Sequence, residues 1–332
     1  MLCFLLLALI GAAEDTERVK LDAQGHFTLV YRNHPLTVKN EKITRGLIVV
    51  HGQGRNADNY FASAMAAAYL AGAIESTLVV APRLASHDSR ACLDKLEPNE
   101  VNYRCSGDSW RSGAGSLTDP DLTSYNITDE LLRLLANKSV FPNLKTVVVT
   151  GHSAGGQYVT RYAMANRVHE SLGIKVEYVV ANPSSYAYFD DTRLAPGAVC
   201  NEKGECTGGF VRYAEGGNCT TYDHWPYGMD GRTGGYTQAE SVDDLKHQMA
   251  SRPVTYLVGE LDTLPLAGFD SSCPAMAQGP NRLQRGLTYW SYLNKKFGAQ
   301  HKLMIVPLCG HNARCMYTAD PGLPLLFPKS AP

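Results

Sequence analysis

The feature that most constrains this chain is a repeated alternation of short, apolar, β-branched runs with longer stretches of helical character. Gly46–Val50 (GLIVV), Thr77–Ala81 (TLVVA), Val147–Thr150 (VVVT), Val176–Val180 (VEYVV), Val254–Val258 (VTYLV) and Leu303–Val306 (LMIV) read as strands. Near-continuous apolar runs need cover on both faces, which is the mark of a parallel sheet flanked by helices. Asn56–Ala71 is Ala-rich and opens on an N-cap residue type, Asn56. Leu122–Lys138 carries Ile127, Leu131, Leu134 and Leu135 on one helical face. Gly156–Val168 and Asn281–Phe297 also read as helices, and Pro82 stops the second strand. The expected fold class is therefore α/β, a mostly parallel, doubly wound sheet with helices on both faces.

Two stretches break this rhythm. Arg83–Asp121 is polar and rich in Ser, Asp and Gly, and Ser184–Ser241 combines cysteines, Gly pairs and many aromatics, among them Tyr186, Tyr188, Phe189, Phe210, Tyr213, Tyr222, Trp225, Tyr227 and Tyr236. Both are expected to be insertions, at about 83–121 and 184–241, in a single domain spanning 14–332. The aromatics of the second could line a substrate cleft, or could build a small core for a segment poor in regular structure.

The chain begins MLCFLLLALIGAA, and its first charge is Glu14. That apolar run is too short to span a bilayer, which takes roughly 20 residues. It ends on Gly11, Ala12 and Ala13, so residues 1–13 are expected to be a signal peptide of a secreted protein, although no Lys or Arg precedes the run. A buried first strand or helix is the alternative. No other uncharged apolar stretch approaches a membrane span. Thirty-one basic residues balance thirty-two acidic ones, for a net charge of −1, so the basic excess expected of a nucleic-acid surface is lacking.

Cysteine usage agrees with export. Of nine cysteines, Cys3 would leave with the signal, and an even set remains: Cys92, Cys105, Cys200, Cys206, Cys219, Cys273, Cys309 and Cys315. With no C-x-x-C, a disulfide framework is expected and no metal site. Cys309 and Cys315 bracket a short loop and are expected to pair, with a buried free thiol at Cys309 as the alternative. Nearness then joins Cys92 to Cys105 and Cys200 to Cys206, and elimination leaves Cys219 for Cys273. Sequons at Asn126, Asn137 and Asn218 would make a eukaryotic version a glycoprotein.

The chemistry is carried by Gly151-His-Ser-Ala-Gly155, which follows VVVT and precedes a helix. G-x-S-x-G between a strand and a helix forces a sharp turn that lifts the serine hydroxyl clear of the sheet. Ser153 is thus the expected nucleophile. It needs a base and an orienter for that base. His311, in PLCGH just past the last strand, is the expected base, since His152 sits inside the turn and His301 enters a strand. Asp262, in GELDT after VTYLV, is the expected orienter; Glu260 is the rival, because strand alternation would turn both carboxylates to one side. The first strand ends in His51-Gly-Gln-Gly54, a loop able to aim the Gln53 N–H at an oxyanion, and Ala154 N–H supplies the second donor.

The order Ser153, Asp262, His311 resembles that of the α/β-hydrolase superfamily, and the resemblance covers nearly all of residues 25–320. HGQGRNADNYF, GHSAGGQ, ANPSSY, VGELDT, AQGPNRLQR and GHN resemble secreted serine esterases near the feruloyl esterase and polyhydroxyalkanoate depolymerase branch. HGQG departs from the HGGG of hormone-sensitive-lipase-like esterases. The resemblance implies an α/β-hydrolase fold and cleavage of a small-molecule or polymeric carboxylic ester through an acyl-enzyme, without metal or organic cofactor. An extracellular polyester depolymerase, a serine peptidase or amidase, and a non-catalytic binding protein on a hydrolase scaffold are the alternatives.

Overall fold

Each apolar run forms a strand in the computed structural model, which describes residues 16–328 apart from 90–91, 107–108, 214–218, 233–234 and 267. The expected signal segment, 1–13, lies outside the described residues. One sheet holds eight strands: β1 (Thr16–Lys20), β2 (Phe27–Arg32), β3 (Arg45–Val50), β4 (Thr77–Pro82), β5 (Thr146–His152), β6 (Lys175–Ala181), β7 (Val254–Gly259) and β8 (Lys302–Val306). Their order is β1-β2-β4-β3-β5-β6-β7-β8. All pairings from β4 through β8 are parallel, while β1 with β2 and β2 with β4 are antiparallel. The fold class is thus the expected one. The N-terminal hairpin β1–β2 is an addition that the sequence reading did not contain. β1 (TERVK) is a part-exposed edge strand in which Val19 alone is buried, so it lacks the apolar density that marked the others, and β2 (FTLVYR) lies between it and β4.

Among the described residues, six helices of six or more residues cover the sheet: α1 (Ala57–Leu70), α2 (Ser124–Ala136), α3 (Ala154–Ala165), α4 (Val242–Ser251), α5 (Arg282–Phe297) and α6 (Ala313–Thr318). Leu47, Ile48, Val49 and Val50 of β3 and Val147 and Val149 of β5 are fully buried between the two helical layers. Each such side chain contributes roughly 1.5–3 kcal/mol through loss of water contact. Asn56 does precede α1, yet its side chain makes no cap hydrogen bond. Its backbone, at φ −88° and ψ 67°, is not in the extended region from which an N-cap side chain reaches the helix. α2 is capped more fully: Thr123 and Asn126 form a reciprocal capping box. That engages the Asn126 sequon in helix capping; Asn137 is exposed, and Asn218 lies outside the described residues.

The chain crosses from β3 to β4 on one side and later returns to β5 on the other. Beyond the carboxyl ends of β3 and β5, where the order reverses, a doubly wound sheet opens a crevice for ligands. Of the two stretches that break the alternation, 83–121 contributes Arg111 and 184–241 contributes Ser184 and Tyr227 to the border of a hollow at Ser153. Within the first, Trp110 is buried and meets the His51 ring edge-on at 4.9 Å. Within the second, the aromatics mostly serve packing. Tyr186 stacks on Tyr289 of α5 at 4.4 Å, Tyr188 lies 4.5 Å from Tyr292, and Phe189 and Tyr236 are also buried. Tyr227 alone among the aromatics named for this segment borders a hollow at Ser153. No helix among the described residues is long and apolar enough to cross a membrane.

Candidate active site

Ser153 joins β5 to α3 with φ 61° and ψ −118°, a backbone conformation that a residue with a side chain adopts only under constraint. The constraint comes from close packing on both sides. A Cβ on Gly151 would lie 2.4 Å from the carbonyl oxygen of residue 155, and one on Gly155 would lie 2.2 Å from that of Val50. Both glycines are therefore needed for β5 to turn into α3 beside β3. The Ser153 N–H is anchored on the Ala181 carbonyl at 3.0 Å.

The structure brings Ser153, His311 and Asp262 into one hydrogen-bonded chain. Ser153 Oγ lies 2.9 Å from His311 Nε2, and His311 Nδ1 lies 2.8 Å from Asp262 Oδ2. Asp262 is 2% exposed. Glu260 turns outward and accepts the Leu308 N–H at 2.9 Å. Strand alternation does not govern these two carboxylates because β7 has already ended. Asp262 N–H donates to the Gly259 carbonyl at 3.1 Å, so the segment is a turn.

The loop after β3 is fixed by a histidine that the sequence reading left without a role. His51 is fully buried; its Nε2 accepts the Leu84 N–H at 3.0 Å, and its Nδ1–H donates to the Gly52 carbonyl at 2.9 Å. Burial pushes its pKa down to about 4, so the ring remains neutral and keeps both bonds. Arg55 holds the loop from the other side through a two-point contact with Asp94, at 2.7 and 3.2 Å. Among the described residues the N–H groups of Gln53 and Ala154 have no hydrogen-bond acceptor, and both residues border a hollow at Ser153. Two free donors beside a hydroxyl held by an imidazole can stabilise a developing oxyanion.

Three further residues support the His311–Asp262 pair. Arg282, at the start of α5, is buried; its Nε donates to Ser184 Oγ at 2.8 Å, and one terminal nitrogen lies 3.4 Å from Asp262 Oδ1. Asn182, at φ 42°, accepts the Gly259 N–H at 2.8 Å and donates to the Gly310 carbonyl at 3.2 Å, tying β7 to the His311 loop. His152 packs 4.5 Å from the His311 ring, and burial holds its pKa well below the usual histidine range. It therefore stays neutral beside His311. Arg282 left a readable trace: Arg282, Arg285, Tyr289 and Tyr292 share the buried face of α5, so two arginines stand where the periodicity calls for core residues.

All four expected cysteine pairs are joined: Cys92–Cys105, Cys200–Cys206, Cys219–Cys273 and Cys309–Cys315. The last closes the loop that bears His311. Cys219–Cys273 ties the aromatic segment to the stretch following Asp262.

Ser153 stands between two hollows. One, of about 560 Å³, is bordered by Tyr60, Asn59, His311 and Arg314. The other, of about 300 Å³, is bordered by Ala154, Arg111, Gln157, Ser184, Tyr227 and Asp270.

A family model described as alpha/beta hydrolase family matches residues 47–323. Solved structures with a similar fold include a poly(3-hydroxybutyrate) depolymerase from Bordetella parapertussis, at 22% identity and a TM-score of 0.58, covering 91% of this chain and 87% of that one. They also include poly(aspartic acid) hydrolase-1 from Sphingomonas sp. KT-1, at 21% identity and a TM-score of 0.58, covering 91% and 94%. No curated protein matches the chain.

Proposed function

The chain belongs to the alpha/beta hydrolase family, and from that premise we propose that it is a secreted serine hydrolase that cleaves carboxylic esters through an acyl-enzyme on Ser153. The observation that carries this reading is the continuous relay from Ser153 Oγ to His311 Nε2 at 2.9 Å and from His311 Nδ1 to Asp262 at 2.8 Å. His311 takes the Ser153 proton as Oγ attacks the acyl carbon. The oxyanion is received by the N–H groups of Gln53 and Ala154. His311 then gives the proton to the leaving alcohol, and Asp262 stabilises the imidazolium formed in between. Water repeats the sequence on the acyl-enzyme and releases the acid. In this reading the segments at 83–121 and 184–241 belong to the same catalytic domain, and the four disulfides support export.

Turnover of esters of graded acyl length by the purified protein tests the reading. Hydrolysis should fall roughly 10³-fold or more in Ser153→Ala. Near-normal turnover by that variant would overturn it. A polyester is a second reading, favoured by the two hollows that let a chain extend in both directions from Ser153. Release of soluble acids from a poly(3-hydroxybutyrate) film supports it, and a film left intact by an enzyme active on small esters removes it. Cleavage of peptide amides at a comparable rate would reassign the enzyme as an amidase.

A further inference from the structure

The hollow on the Ala154 side carries more positive charge than its surroundings neutralise. Arg111 reaches it from residues 110–112, which pack beside α3. Its Nε donates to Ser109 Oγ at 3.2 Å, and among the described residues its two terminal nitrogens have no acceptor. Asp270, the one carboxylate among the described residues bordering this hollow, is already engaged. Its Oδ2 accepts from Tyr227 Oη at 2.8 Å, and its Oδ1 accepts from the Ser272 N–H at 3.0 Å and hydroxyl at 2.6 Å.

Two more guanidinium groups lie behind the wall, and both are bonded to neutral oxygens. Arg161 is buried against the Pro226 carbonyl at 2.9 and 3.1 Å, within electrostatic reach of Arg111. Arg285 is buried against the carbonyls of Ser184 at 2.6 Å and Gly279 at 2.9 Å, within reach of Asp270. Arg282 is matched by Asp262. Arg111 and Arg285 therefore share one carboxylate, Asp270, and Arg161 has only neutral oxygens as hydrogen-bond partners among the described residues. Guanidinium groups do not escape burial by losing a proton. Such an excess favours an anion at the accessible fork, which is that of Arg111.

The side of the nucleophile matters. His311 hands its proton to the leaving alcohol and borders the larger hollow, so the alcohol belongs there and the acyl chain belongs beside Arg111. We propose that the smaller hollow is an acyl-side carboxylate subsite, with Arg111 as its specificity-determining residue. The favoured substrate is then a monoester of a short dicarboxylic acid. This inference rests on the ester-hydrolase reading for its chemistry, and on the charge balance alone for its site.

Hydrolysis of the monoethyl esters of succinic, glutaric and adipic acid is compared by pH-stat with that of neutral ethyl esters of matching acyl length. The best monoester should exceed its neutral match in kcat/KM by roughly 10- to 100-fold, the scale of one charge-assisted fork. Arg111→Gln should bring the ratio close to one, and Arg111→Lys should keep part of the preference. A wild-type ratio of one or less, or a preference that survives Arg111→Gln, overturns the proposal. Calorimetry of glutarate with Ser153→Ala reads the subsite without turnover; binding should weaken at least tenfold on adding Arg111→Gln. Glutarate binding of that kind in a protein that cleaves no ester keeps the subsite and overturns the ester-hydrolase reading. Ester cleavage with neither glutarate binding nor a preference does the reverse.

Discussion

Replacing Asp262 by Asn should cost three to four orders of magnitude in kcat, and Arg282 is part of the reason. An amide NH₂ facing His311 Nδ1, where Asp262 Oδ2 now sits at 2.8 Å, donates to that nitrogen and selects the Nε2–H tautomer. That tautomer cannot accept the Ser153 proton. Flipping the amide would restore an acceptor to His311, but it would turn the NH₂ toward Arg282, whose terminal nitrogen lies 3.4 Å from Asp262 Oδ1. Two donors would then meet in a site where Asp262 is 2% exposed. Losing one charge-assisted hydrogen bond and the imidazolium's counter-charge amounts to about 4–5.5 kcal/mol, and 1.36 kcal/mol corresponds to a factor of ten. Glu260→Gln is the internal control. Its exposed side chain accepts the Leu308 N–H at 2.9 Å, a bond an amide oxygen can also accept, so kcat should change less than about threefold. Steady-state kinetics on a nitrophenyl ester, with circular dichroism to confirm folding, decides between them. A folded Asp262→Asn that loses less than tenfold, or a Glu260→Gln that loses more, would refute the reasoning.

Three other outcomes follow from the same structure. Gly155→Ala should destabilise the fold by about 3 kcal/mol or recover as insoluble protein, because its Cβ meets the backbone oxygens of Val50 and His51 at 2.2 and 2.7 Å; a urea midpoint equal to wild type would contradict this. Cys309→Ser with Cys315→Ser should cost about 2 kcal/mol for a bridge of sequence separation 6, and a non-reducing digest of the native protein should contain the intact pair; alkylation of either cysteine without reduction would rule the bridge out. Folding should weaken as pH falls from about 6.5 to 4, because His51 is held neutral by burial with its pKa near 4 whereas the unfolded chain takes up the proton at about 6.5. Its contribution, up to about 3 kcal/mol, is complete above that window and lost through it; urea titrations giving the same slope for His51→Gln and wild type would show that another group is responsible.

The sheet was legible because five of its strands, β3 to β7, are mostly buried and, like the part-buried β8, spell near-continuous apolar runs. The edge strand β1 was not, since only Val19 of its residues is buried and it carries no such run. The Ser153 turn could be located from two glycines, whose necessity lies in carbonyl oxygens of β3 and α3 that only the folded sheet brings near. Asp262 and Glu260 looked equivalent because alternation assumes that the strand continues; the turn hydrogen bond from Asp262 N–H to Gly259 separates them. The aromatic segment had two readings, and packing of Tyr186 and Tyr188 on α5 accounts for most of it. His51 and Asn182 act through partners distant in sequence, Leu84 for the one and Gly259 and Gly310 for the other, so no local pattern announces them. Arg282 and Arg285 could have been suspected, as charged residues on the tyrosine face of α5.

The central claim is that Ser153 is a nucleophile activated by His311. A fluorophosphonate reagent tests it directly when adduct formation is followed by intact mass and the site is mapped by peptide sequencing. The account predicts one adduct per chain, on Ser153, forming at least 10³-fold more slowly in His311→Ala. An unmodified protein, an adduct on another residue, or equal labelling rates with and without His311 would contradict it.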